Sequence, residues 1–99
     1  MMKVENMISE RSGREVANQF IIRDENRIVF QSYSSVIAVI DNTKNGAERL
    51  TLGRDWDYSA TTRKYLYKFL WDFLRMNVNK KALQIAISNK DICYDANLA

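Results

Sequence analysis

The sequence predicts an α+β domain: an antiparallel β-sheet of about four strands followed by two C-terminal helices, the main one packed on the sheet. Three observations carry this prediction. Short stretches rich in β-branched and aromatic residues, punctuated by polar turns, fill the first half of the chain. The stretch from Trp56 to Met76, WDYSATTRKYLYKFLWDFLRM, carries apolar residues at the three- and four-residue spacing of a helix. Strands therefore come first and helices last, whereas a parallel sheet would need the two to alternate. At 99 residues the chain is long enough for one domain with a core of its own, spanning residues 1–99.

In order, Lys3 to Ile8 has mixed character and fits a short strand or an ordered arm. SERSGR, Ser9 to Arg14, is a turn in which Gly13 can take a positive φ. Val16 to Ile22 is a strand, and Asp24, Glu25 and Asn26 make the tight turn that follows it. Arg27 to Ser32 alternates Ile28 and Phe30 against Val29 and Gln31, the pattern of a half-buried strand. Tyr33 to Ser35 makes the next bend. Val36 to Ile40, VIAVI, is a continuous apolar run suited to a central strand. Asn45 and Gly46 are a hairpin-turn pair, which predicts a returning strand from Glu48 to Leu52.

Asp57 and Ser59 are both N-cap candidates for the main helix, with Ser59 preferred. Leu66, Phe69, Leu70, Phe73 and Leu74 share its core face, while Tyr67, Trp71 and Leu74 form a flanking apolar line. Thr61, Lys64, Lys68, Asp72 and Arg75 are left as a narrow polar stripe. Asn77 to Asn79 interrupts the pattern, and Asn79 can cap a second helix from Lys80 to about Asn89. Within it ALQIAI also fits a strand; helix is the reading taken. Asp91 to Ala99 is an extended tail whose Ile92, Tyr94 and Leu98 are expected to dock on the sheet.

The composition restricts the chemistry. The chain has no histidine, one cysteine and three glycines. That removes the commonest neutral-pH general base, a thiolate cluster for zinc, and the glycine-rich loops that cradle phosphates. Cys93 stands between Asp91 and Asp95, whose negative charge works against a reactive thiolate. Asp55 and Asp57 lack a third carboxylate at matching spacing, so a capping loop suits them better than a cation site. The expectation is a non-enzymatic protein with no cofactor and no metal. No apolar run approaches the roughly 20 residues that span a bilayer, and MMKVENMISE lacks the apolar core of a signal peptide. A cytoplasmic protein with no membrane partner is expected.

Net charge is +3, and residues 63–99 hold seven basic side chains against three acidic ones, so the excess sits in the helical third. Such a patch suits phosphates or an acidic protein, and also suits a merely solvated helix face. Ser59, Thr61, Thr62, Arg63 and Lys64 gather hydroxyls and cations at the positive end of the helix dipole. Trp56, Tyr58, Tyr65, Tyr67 and Trp71, interleaved with Lys64 and Lys68, fit base stacking or a protein interface. An aromatic stripe at helical spacing is also core material, which predicts that at least Tyr65 or Trp71 is buried. The candidate binding residues are therefore Trp56, Tyr58, Ser59, Thr61, Thr62, Arg63, Lys64, Tyr67, Lys68 and Trp71.

The segments FQSYSSVIAVID, Phe30 to Asp41, and WDYSATTRKYLYKFL, Trp56 to Leu70, carry a resemblance that EVANQFII, Glu15 to Ile22, extends. Together they resemble a family of small uncharacterised phage and prophage proteins with FQSYxSxIA and WDYSxTTxKYxxxFL motifs. The family has a domain of unknown function and no assigned catalytic residues. The resemblance implies a phage accessory protein in the cytoplasm of a bacterial host, acting by stoichiometric binding. Its expected partner is a host or defence protein, with nucleic-acid binding through the basic helical third, or self-association through Tyr67 and Trp71, as alternatives.

Overall fold

Hydrophobic patterning in the first half of the chain builds a sheet, and the computed structural model, which describes residues 2–9 and 11–98, gives its strand order. The strands are β1 (Lys3–Ile8), β2 (Glu15–Arg23), β3 (Arg27–Ser32), β4 (Ser35–Asp41), β5 (Leu50–Gly53) and β6 (Cys93–Asp95), with helices α1 (Ala60–Leu74) and α2 (Lys80–Ser88) between β5 and β6. They lie side by side in sequence order. The first five pair antiparallel, and β6 joins β5 in parallel, so the sheet is mixed and has six strands rather than about four. The α+β class and the order of strands before helices hold. The additional strands are the Lys3–Ile8 segment and three tail residues.

Local chemistry accounts for most boundaries. Asp24 Oδ1 accepts from the amides of Asn26 and Arg27 and closes the β2–β3 turn. Gly13 takes a φ of 69° in the β1–β2 connection, as expected; Glu10 of that turn, like Ala99 of the tail, lies outside the described residues. Asn45 and Gly46 do not make the expected tight hairpin. A 3-10 turn over Gly46–Arg49 replaces the first half of the predicted Glu48–Leu52 strand, so β5 begins at Leu50. Ser59 caps α1 by accepting from the Thr62 amide, and Asn79 caps α2 by accepting from that of Ala82. Helix α1 stops before the asparagines: Arg75 turns left-handed at φ 54°, and its amide bonds to the Trp71 carbonyl while that of Met76 bonds to Leu70. This is a left-handed (αL) helix ending, with arginine where glycine usually stands.

Both helices serve one face of the sheet. Leu66, Phe69 and Leu70 of α1 and Leu83 of α2 are fully buried against Ile21, Phe30, Ala38, Ile40, Leu50 and Leu52. Phe30 stacks on Phe69 at 5.7 Å between ring centres, and Phe73 follows at 5.2 Å. Truncating Leu66 to alanine there costs about 2–5 kcal/mol. Ile92 enters the same core and carries the tail to β6, while Tyr94 stays exposed. Gly53 is required by close approach, since a Cβ there would stand 2.5 Å from the Val36 carbonyl oxygen.

Candidate functional site

A bend and a helix start, 25 or so residues apart in the chain, meet at one end of the sheet. Ser32 and Ser35 pair across the β3–β4 hairpin, leaving Tyr33 and Ser34 as its two-residue loop. Tyr33 holds φ at 54°, a left-handed conformation that a bulky side chain resists, and its amide donates to the Asn18 carbonyl at 2.7 Å. Opposite this loop runs the connection from β5 into α1, braced by the Trp56 amide on the Gly53 carbonyl and the Tyr58 amide on that of Asp55. Between the two lies a cleft of about 530 Å³, walled by Tyr33, Ser34, Ser35, Asp55, Tyr58 and Thr61 over a floor that includes Ser32 and Thr62.

Hydroxyls organise that floor. Thr62 is 4% exposed, and its Oγ1 is 3.1 Å from Ser59 Oγ and 3.4 Å from Ser32 Oγ, so one side chain ties the cap of α1 to the end of β3. Ser35 Oγ donates to Asp55 Oδ2 at 3.1 Å. Across the β2–β3 ladder Ser32 faces Gln19, whose buried Oε1 has no partner among the described residues. Above the floor the rings are open to solvent, Tyr33 at 63% and Tyr58 at 79% exposed. The cleft wall carries one carboxylate and no lysine or arginine. It can therefore stack apolar or π surface on tyrosine, exchange hydrogen bonds with hydroxyls, and accept a donor at Asp55.

The predicted binding residues do not stay together. Tyr58, Ser59, Thr61 and Thr62 meet in the cleft. Arg63 and Lys64 leave it: Arg63 folds back to donate to the Asp57 carbonyl at 3.1 Å, and Lys64 lies over the Tyr65 ring at 5.4 Å. Lys64 instead joins Ser9, Arg11, Tyr65 and Lys68 around a separate depression, where Lys68 also reaches Asp72 at 3.1 Å. Tyr67 and Trp71 lie apart from both, around a small groove with Met76, Asn77 and Val78. The aromatic and basic candidates around the first turns of α1 thus fall on separate surfaces.

Two aromatic expectations are corrected. Trp56 is 5% exposed and belongs to the core, because the loop turns it inward under α1, so it offers no stacking face. Trp71 is 47% exposed, with the Arg75 guanidinium 5.5 Å from its ring centre, and Tyr65 is only half-buried, so neither fulfils the expected burial. Ser32, Tyr33, Ser34, Ser35 and Asp55 are not among the candidate binding residues that the sequence gives; for the first four, FQSYSS within the resemblance motif is the available signal.

Two carboxyls outside the cleft are more acidic than usual. Asp24 is held below the ordinary range by the amides of Asn26 and Arg27, and Asp41 by the hydroxyl and amide of Thr43. Both stabilise turns. Among the described residues no three metal-ligating side chains stand together, and no helix is long and apolar enough to cross a membrane.

Comparison with known families finds a match over residues 2–88 to the group described as "Family of unknown function (DUF8033)". The chain belongs to that family. The matched span contains β1 to α2 and both sides of the cleft, so the DUF8033 region includes every cleft residue named above and ends before β6. None of the curated proteins compared matches the chain, and none of the solved structures does.

Proposed function

We propose that this chain is a non-enzymatic phage accessory protein that works in the cytoplasm of a bacterial host by stoichiometric binding to a host protein, with the cleft at the start of α1 as its recognition surface. A defence or regulatory factor is the kind of target that such binding would block. One observation carries the reading: FQSYSS and WDYSATT, far apart in sequence, converge on one cleft and present two solvent-open tyrosines over a hydroxyl floor. Tyrosine supplies rigid, amphipathic contact area at low entropic cost and is favoured in protein interfaces. The strained turn that presents Tyr33 supports the same reading, since backbone strain of this kind concentrates at functional positions.

Nucleic-acid binding is the second reading, favoured by Arg11, Lys64 and Lys68 around one depression. The two readings differ in their response to salt, because phosphate contacts release counterions and weaken steeply as salt rises. The test is capture from host lysate by the tagged protein, with and without nuclease. A defined protein retained after nuclease supports the cleft reading. Nucleic acid alone, lost as salt rises, would transfer the function to the basic depression.

A further inference from the structure

Helices cover only one face of the sheet. On the other, the strand registers align a single row across all six strands: Val4 beside Ile22, Ile22 beside Val29, Val29 beside Val39, Val39 beside Thr51 and Thr51 beside Cys93. Residues paired in register share a face, and none of these six belongs to or packs on the core cluster beneath the helices. Val39 is nevertheless buried, which places it among its own row neighbours. Phe20 and Val36 extend the apolar surface one step along β2 and β4.

We propose that this open face is a self-association surface on which a second copy of the chain docks sheet against sheet. The row itself carries no charge; on its face Arg27 and its register partner Asp41, at one end of β3 and β4, are of opposite sign, and Asp95 stands beyond Cys93 at the β6 edge. Two copies of a chain with net charge +3 therefore meet across a row that holds none of that charge. A strongly acidic or basic partner finds no complement. The geometry suits a copy: twisted sheets pack face to face by interdigitating β-branched side chains about 10 Å apart. Five strand spacings give a face about 24 Å wide, and six-residue strands give about 20 Å of length. Two such faces bury on the order of 1,000 Å², the lower bound for a specific interface, so the dimer is weak and concentration-dependent.

The test is sedimentation equilibrium of the full chain from micromolar to near-millimolar concentration. A monomer–dimer transition is expected, with Val29→Lys and Ile22→Lys each weakening it by about tenfold or more while the circular dichroism stays native. Trp71→Lys, on the helical side, should leave it unchanged. Should either lysine variant misfold, the wild-type methyl resonances of Val29 and Val39 provide the readout, since they should shift with protein concentration. A strict monomer at the highest concentration overturns the proposal. So does a dimer that survives both sheet lysines in natively folded protein, one lost in Trp71→Lys but kept in Val29→Lys, or a dimer whose Val29 and Val39 methyls do not respond to concentration.

Discussion

The two flanks of α1's first turns differ in kind. One is the tyrosine and hydroxyl cleft, with a single carboxylate and no cation; the other is the depression lined by Arg11, Lys64 and Lys68. In the sequence these residue types are interleaved, yet a helix turns successive residues by about 100°, so neighbours such as Thr62 and Lys64 project to different sides. Charge and aromatic exposure thus become separate surfaces. A partner reading the cleft will depend on ring contact and geometry, and one reading the depression will depend on ionic strength.

The largest expected effect separates them directly. Tyr58→Ala should weaken capture of a cleft-bound protein by about 10- to 100-fold, the range of an interface hot spot, measured by titration with the purified partner. Arg11→Ala with Lys64→Ala should change the same affinity by only a few-fold, roughly a rim contribution. Next in size is Thr62→Val, which leaves Ser32 Oγ buried without the Thr62 hydroxyl it pairs with. A loss of about 1–2 kcal/mol in denaturant unfolding is expected, together with weaker binding because the floor ties β3 to α1. Tyr33→Gly should move the two readouts in opposite directions: relief of the left-handed strain raises stability by about 0.5–1 kcal/mol, while loss of the ring lowers affinity. The smallest effect concerns the turns. Asp24 and Asp41 have folded-state pKa values below their unfolded ones, so their contribution is complete above the ordinary carboxylate value of about 3.9 and is lost as pH falls through the lower folded value. Asp24→Ala should accordingly destabilise the chain slightly at neutral pH and make no difference in strong acid, by thermal unfolding across pH.

Much of the fold was legible because its determinants are local. Ser59 and Asn79 announce their helices through a short side chain placed three residues before an amide in need of a partner, and VIAVI announces the central strand through its apolar run. Strand β6 was not legible, since three residues carry no periodicity and CYD becomes a strand only because Ile92 is anchored in the core beside β5. The 3-10 turn at Gly46 replaced a hairpin whose local signal, Asn45 and Gly46, was sound but did not decide the connection. Half of the site was legible for the same reason as its helix: Tyr58, Ser59, Thr61 and Thr62 surround the cap. The other half, Tyr33 to Ser35, comes from a turn whose proximity to α1 is set by long-range packing of Phe30 on Phe69. Trp56 was misplaced because a loop residue has no periodic pattern to say which way it points.

The most direct test of the cleft as the recognition surface is a binding isotherm of the nuclease-resistant host partner against wild type, Tyr58→Ala, and Arg11→Ala with Lys64→Ala, at low and moderate salt. Affinity lost by about tenfold or more in the tyrosine variant, and nearly constant with salt and in the double charge variant, is the result expected. Affinity unchanged in Tyr58→Ala but abolished by salt or by loss of Arg11 and Lys64 would contradict it.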